Sequence, residues 1–513
     1  MPQELPGFYF DPEKNRYFPI KGPIPGSRSH TQTLASISKS EQLKGNEGEI
    51  RVRKEKTKTS KLLELRELNG NVLNSRISKR NFQHEYEKEH ASQPTIWKYK
   101  CMQNIANGAL EHVHTDMQTL DGQIKSDFLL IGRTDNSLNI YEVAKVGMHF
   151  DYGVEYVPDP IWPSVTENQE VRRRAPQHKL LRGGQLYLNS NISSIKAMGK
   201  CSPFTDEPVF SVQQALISTM GSGTSVGSVY ILKLREPSDF NPRSSLSEVA
   251  SLNCTIWTSE CHPNGSQAVI GTNRGAALLN LETKAVSWLC HAKSDVFSQQ
   301  FNQAGNVILC GFRNGAIVTV DVRQKQQGCP GGVSKHRIPF SSNKSHGNSS
   351  RNTNKRPKGW FELKGCIHPS STIFMPSSIS SLISLQTDDQ YFLASSMDGS
   401  MKLYDHRLIQ RGPVQSYEGH VNSHSRIQLG VDPAERMLMS GGEDGKVRIW
   451  SIKTGELLFG EKILNSVPTT LCWPDMKKMC SLANMKEENS YHKNHHSGAW
   501  IGSADDLCYI HDS

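Results

Sequence analysis

Three residues of catalytic type sit in one short stretch of the chain, His420, Ser440 and Asp444, with Trp450 closing it. Ser, His and Asp together could support nucleophilic acyl transfer. Ser440 lies in MLMSGGEDG, however, without the Gly-x-Ser-x-Gly elbow or the oxyanion-hole turn that would present a nucleophile. The same residues suit a structural tetrad that ties a turn to its strands, which stabilises only where each buried member finds a partner. The structural reading is preferred. His492, His495 and His496 cluster in a polar loop and read as solvated side chains rather than a metal site. Of eleven cysteines, none forms C-x-x-C, and the pairs Cys254/Cys261 and Cys472/Cys480 lack the recurring His partner a zinc site requires. Most read as small buried hydrophobes, as Cys310 does in VILCG. There is no P-loop, dinucleotide fingerprint, H-E-x-x-H or kinase loop, and Gly221-Ser222-Gly223 and Gly441-Gly442 read as turn glycines. No enzyme, cofactor or metal is expected.

A different chemistry is available to two arginines. Val320-Asp321-Val322-Arg323 and Tyr404-Asp405-His406-Arg407 repeat one pattern, in which Asp closes the inner strand and Arg follows two positions later on the connecting turn. A guanidinium is a planar fork of five donors suited to bidentate capture of a partner's carboxylates or carbonyls. The plainer alternative is that each Arg pairs with the Asp of its own box. Two boxes in successive units favour a docking rim made by both arginines.

The elements that position these residues come from an internal repeat. Residues 127–143, 267–283, 306–323, 391–407, 436–452 and 499–513 each hold a short β-rich run, a tight turn of Asn or Asp and usually Gly, and a second β-rich run; 214–234 is an irregular seventh copy. Such turns demand positive φ and signal hairpins. Gly275 to Gly315 spans 40 residues and Gly399 to Gly445 spans 46. Gly315 to Gly399 spans 84, but includes a Ser/Asn/Lys-rich insertion, without which one further period remains. From Lys125 onward, less that insertion, near 50 residues are available for each of seven blades of a WD-repeat β-propeller, and an eight-bladed count is the alternative. The fold expected is all-β, with a propeller over 91–513. The region 144–213 is too irregular for strand assignment.

The flanks differ in character. Residues 1–56 read as mostly disordered apart from an aromatic motif at 6–18, where Phe8, Tyr9, Phe10, Tyr17 and Phe18 either pack on the propeller or dock elsewhere. Residues 57–90 read as a short helical docking segment. Leu62, Leu65 and Leu68 give its first helix one apolar face, and Val72–Tyr86 is a second helical candidate. Too short to be stable alone, the pair must dock on this chain or, in the preferred reading, on a partner. Insertions at 324–360 and 475–497 read as disordered loops.

Composition agrees with this picture. Apolar residues are 36% and charged residues 21%, with 40 Gly and 25 Pro, a turn-rich β profile that excludes a coiled coil. No apolar run approaches the ~18–20 residues that span a bilayer. The opening MPQELPGFYF has no basic region leading an apolar core, so secretion is not expected and residence in nucleus and cytoplasm is. The net charge of +9 is uneven: residues 324–360 carry eight Lys or Arg and no acid, and Arg172–Arg174 form another cluster. Solvated loops are the first reading of both, nuclear import through Lys355-Arg356-Pro357-Lys358 or nucleic-acid contact the second.

Successive units ending in a relaxed D-x-R box resemble the substrate receptors of cullin-4 ubiquitin ligases, the DCAF family. The opening Pro6–Lys14 with Arg16-Tyr17-Phe18 is similar to members of that family, and so is Tyr404–Arg407 followed by Tyr417–Asn422. The likeness is strong at the N-terminal motif, 305–323 and 391–452, while Val320 and Tyr404 stand where the family has Trp. The resemblance implies a non-catalytic receptor. Asp321, Arg323, Asp405 and Arg407, with Leu62, Leu65 and Leu68, would hold the damaged-DNA-binding-protein adaptor of the cullin-4 complex, and another face would present a substrate for ubiquitination. The competing reading is a nuclear scaffold of RNA or chromatin complexes, whose nucleic-acid binding would fall steeply with salt.

Overall fold

The computed structural model describes residues 8–11, 16–19, 72–73, 79–80, 82–99, 108–119, 122–145, 155–163, 178–198, 214–221, 225–234, 245–323, 335–341, 358–365, 367, 371–474 and 498–511. The chain divides into two units, Met1–Glu55 and Lys56–Ser513. In the first, Phe8–Asp11 pairs antiparallel with Arg16–Pro19, Phe8 opposite Pro19 and Phe10 opposite Tyr17, so the aromatic motif forms a hairpin. Leu62, Leu65 and Leu68, the rest of 1–56 and the loop 475–497 lie outside the described residues, as does the trio His492, His495 and His496.

The second unit is built of seven antiparallel sheets, each led by a strand that packs on the leading strands of its neighbours, the last against the first. It is a closed seven-bladed propeller. Blade 1 comprises Ala109–Thr119, Gly122–Gly132, Ser137–Lys145 and His178–Tyr187; blade 2, Ile192–Ala197, Gln214–Thr219, Gly227–Lys233 and Leu246–Leu252; blade 3, Ile256–Cys261, Gln267–Thr272, Gly275–Asn280 and Val286–Ala292. Blade 4 comprises Val296–Phe301, Val307–Phe312, Ala316–Asp321 and Thr372–Phe374; blade 5, Ile379–Ser384, Tyr391–Ser396, Met401–Asp405 and Gln415–Tyr417; blade 6, Leu429–Val431, Met437–Gly441, Lys446–Ser451 and Leu457–Lys462. Blade 7 takes Thr470–Cys472, Gly498–Gly502 and Leu507–His511 from the end of the chain and Thr95–Tyr99 from before blade 1, His511 lying opposite Thr95. All seven repeat copies are the second and third strands of successive blades.

These middle strands are sandwiched between neighbouring blades, which is why they read as short continuous apolar runs. Ala268, Val269 and Ile270 are fully buried, as are Ile308 and Cys310. Between them the chain turns through Asx caps, Asn314 Oδ1 accepting from Ala316 N at 3.1 Å and Asp398 Oδ1 from Ser400 N at 3.1 Å. Gly315 has φ +84°, and a Cβ there would stand 2.4 Å from the Met375 carbonyl oxygen, so both sterics and conformation require glycine.

Two parts of 324–360, expected to be disordered, are instead strands. Lys335–Ser341 pairs with Lys358–Gly365, and the latter pairs with the outer strand of blade 3. Ile338, Phe361 and Leu363 are buried beside Phe312, which supplies the reason: alternate residues of a basic, polar segment are apolar. The chain thus leaves blade 4 after its third strand, widens blade 3, and returns as the outer strand of blade 4. Residues between the third and fourth strands of blade 1 do the same. Glu155–Tyr156 joins the outer strand of blade 1, Pro158–Trp162 adds to Thr95–Tyr99 of blade 7, and the irregular region resolves into these strands.

The helical candidate Val72–Tyr86 is also revised. Val72–Leu73 pairs with Lys79–Arg80, and the helix runs Phe82–Ala91. Asn74 and Ser75, which prefer turns to helix interiors, fall in the break. The helix packs on the chain's own blade 6, not on a partner: Ala91 is buried with Phe459 and Ile96, and Lys88 Nζ lies 2.5 Å from Glu456 Oε2. Among the described residues no helix is long and apolar enough to cross a membrane.

Candidate docking rim on blades 4 to 6

Asp321 and Asp405 end the third strands of adjacent blades, not the inner strands that the sequence pattern suggested. Equivalent strands of neighbouring blades run the same way, so both boxes open onto one rim. The turns between first and second strands share that rim, and first strands begin at the opposite one.

The boxes have one geometry. Asp321 Oδ1 accepts from Arg323 N at 2.9 Å and from Nε at 3.0 Å, and Oδ2 accepts from Nη2 at 2.7 Å. In the second box the same three bonds measure 2.8, 3.1 and 2.8 Å. Each aspartate caps its turn and clamps the guanidinium edge, so the pairing half of the sequence expectation holds. Pairing does not hide the arginines, whose side chains are 67% and 58% exposed. The hydrogen bonds from Arg323 and Arg407 hold Asp321 and Asp405 below the usual carboxylate range, and the aspartates in turn raise the arginines. All four stay charged at neutral pH.

The remaining box residues alternate inward. Val320 and Tyr404, where the family has Trp, are buried, Tyr404 stacked on Phe392 at 5.3 Å between centroids. His406 lies on the other side of the turn, its ring 4.7 Å from Phe392, and burial lowers its pKa. After Arg407 a 3-10 turn runs His406–Arg411 and ends at Gly412. It leaves Leu408 43% exposed, and Val414 beyond it 58% exposed. Beside Arg407, a groove of about 660 Å³ between blades 4 and 5 is lined by Thr319, Ser371, Asp389, His406 and Gln410.

The helix Phe82–Ala91 reaches this rim on the next blade. Glu87 pairs with Arg436 in the turn between the first and second strands of blade 6, and Lys88 pairs with Glu456 beyond its third strand. Arg323, Arg407 and the helix therefore occupy blades 4, 5 and 6 in order. Leu62, Leu65 and Leu68, assigned to this surface from the sequence, cannot be placed because they lie outside the described residues.

The tetrad is only partly joined. Ser440 Oγ lies 3.3 Å from His420 Nε2, which is 2.9 Å from the Gly441 oxygen. Trp450 Nε1 donates to the Glu418 oxygen at 2.9 Å, while Asp444 clamps Arg448 through both guanidinium nitrogens. These residues fasten the loop before blade 6 to its strands. No group of three or more His, Cys, Asp or Glu side chains is placed to hold a metal among the described residues.

Comparison with known proteins agrees with this geometry. The family model "WD domain, G-beta repeat" matches residues 411–451, the segment carrying the most complete repeat. The chain is 25% identical over 461 residues to DDB1- and CUL4-associated factor 4 of Homo sapiens, covering 89% of this chain and 78% of that protein. It is 30% identical over 165 residues to the Bos taurus protein of the same name, 32% of this chain and 25% of that one. DDB1- and CUL4-associated factor 4-like protein 2 of Homo sapiens is 30% identical over 165 residues, 32% of each chain. The resemblance read from the boxes and the repeat region is supported by these relatives. A WD-repeat propeller with such relatives points to a non-catalytic adaptor.

Proposed function

We propose that this protein is a substrate receptor that links target proteins to a cullin-4 RING ubiquitin ligase through the damaged-DNA-binding-protein adaptor, for their ubiquitination in nucleus and cytoplasm. The observation that carries the reading is the pair of superposable Asp–Arg clamps on adjacent blades. The relatives' names, which pair DDB1 with CUL4, supply the partner. Each aspartate orients a charged fork toward solvent in advance, so little side-chain freedom remains to be lost on docking. Leu408 and Val414 flank one fork with apolar surface, and the docked helix extends the rim by one blade. The receptor needs no catalytic group of its own, since it acts by bringing two proteins together.

The test is capture of the adaptor and cullin-4 by wild type, Arg323→Ala, Arg407→Ala and the double variant. Each single substitution is expected to weaken adaptor affinity by roughly tenfold or more, and the double variant to lose capture with its circular dichroism unchanged. Recovery of neither partner by wild type at physiological salt would overturn the reading.

A further inference from the structure

The propeller axis is a polar cavity of about 300 Å³ lined by the first strands of all seven blades. That volume is at the small end of ligand sites. The lining carries two cations with opposite surroundings. Lys196 lies 3.2 Å from Glu260 and near Glu111, which together keep its ammonium firmly protonated. It is a neutralised charge inside the wall.

Arg426 is not neutralised. It stands just before the first strand of blade 6, at the rim opposite the boxes, and reaches across the axis to blade 3, where Nη1 donates to the Trp257 carbonyl oxygen at 2.7 Å. No carboxylate lies within ion-pairing distance of it among the described residues. Burial is the cause acting on its pKa, which falls to about 10. A desolvated cation held by a single neutral oxygen is a costly arrangement that an incoming anion relieves. A second group in the same cavity lacks a partner: Gln299, 3% exposed, lines the channel, and its Oε1 is buried without a hydrogen bond. A guanidinium seeking an anion and an amide oxygen seeking a donor suit the two polar ends of a peptide unit that carries a carboxylate.

We propose that the channel mouth opposite the box rim binds a carboxylate of a peptide segment, with Arg426 as the recognising fork and Gln299 accepting an N–H deeper in the cavity. The inference rests on the receptor reading for one point only, that this peptide belongs to the recruited substrate. Adaptor and peptide would then occupy opposite ends of the ring.

The experiment selects binders from a random peptide library displayed with free C-termini, using the full chain without adaptor. Selected peptides are resynthesised as free acids and as C-terminal amides. Peptides sharing a carboxylate are expected, with affinity lowered at least tenfold by Arg426→Gln and unchanged by Arg323→Ala/Arg407→Ala. Loss on amidation assigns a terminal carboxylate, and persistence assigns an Asp or Glu side chain. Where Arg426→Gln fails to fold, wild type is challenged with N-acetylglutamate against N-acetylglutamine, and only the first should compete. Peptides without a common carboxylate, equal binding by Arg426→Gln, equal competition by both probes, or no selection would overturn the proposal. Because the adaptor is absent, this failure is separable from failure of the receptor reading.

Discussion

At the scale of single residues, a clamp and a free charge behave differently. Arg407 is aimed by Asp405, whose side chain is 5% exposed, so Asp405 acts through the arginine rather than on a partner. Asp405→Ala is expected to reduce adaptor affinity severalfold although Arg407 is intact, and Asp405→Asn, which keeps an acceptor, to reduce it less; titration of adaptor onto the two variants checks this. Three imidazoles give the protein a pH dependence. His112, His406 and His420 all have pKa values lowered from 6.5, chiefly by burial. Below that value the unfolded chain binds protons that the folded chain refuses, so their contribution is complete above about pH 6.5 and declines as pH falls through the lowered folded values. The urea midpoint is expected to be lower at about pH 5.5 than at pH 7.5, and His406→Phe to flatten part of that slope. A midpoint constant across this range would contradict it.

At the scale of elements, the hairpin of Lys335–Ser341 and Lys358–Gly365 is part of the core. Phe361 is 3% exposed and packs at 5.1 Å from Phe312, a ring of blade 4. Phe361→Ala should cost about 3 kcal/mol of unfolding free energy in denaturant titrations. Trp360, its 58% exposed neighbour, faces the other way, and its replacement by Ala should cost within about 0.5 kcal/mol. The alternation in Trp360-Phe361-Glu362-Leu363 was legible in the sequence. It was masked by the surrounding Ser, Asn, Lys and Gly, which dominate any composition-based reading of 324–360. The helix was displaced for a related reason: the apolar residues of Val72–Tyr86 suggested one period, whereas the segment is a short pair of strands followed by a helix.

At the scale of the molecule, the hairpin copies carried the architecture, because each needs only a local turn and two apolar runs. Blade count followed from their number. What stayed hidden was long-range. Arg426 sits in an unremarkable polar stretch, HVNSHSRIQL, and its setting is made by Trp257, 169 positions away. Nor does any local signal assign Thr95–Tyr99 to blade 7. That strand covers Leu507–His511 across the seam of the ring, so a chain starting at residue 101 is expected to lose its cooperative thermal transition rather than merely shift it. Calorimetry of the truncated chain decides the matter.

The two excursions between third and fourth strands have a kinetic consequence. Each ties a blade to the one before it, blade 4 to blade 3 and blade 1 to blade 7, so neither member can fray without the strap also detaching. In native-state hydrogen exchange, amides of blades 3 and 4 should open as one unit, and those of 7 and 1 as another. Blades 2, 5 and 6, joined to neighbours by single connections, should exchange individually and sooner. The boxes fall on either side of that divide, Arg323 on a strapped blade and Arg407 on an unstrapped one. The two halves of one rim would then breathe on different clocks.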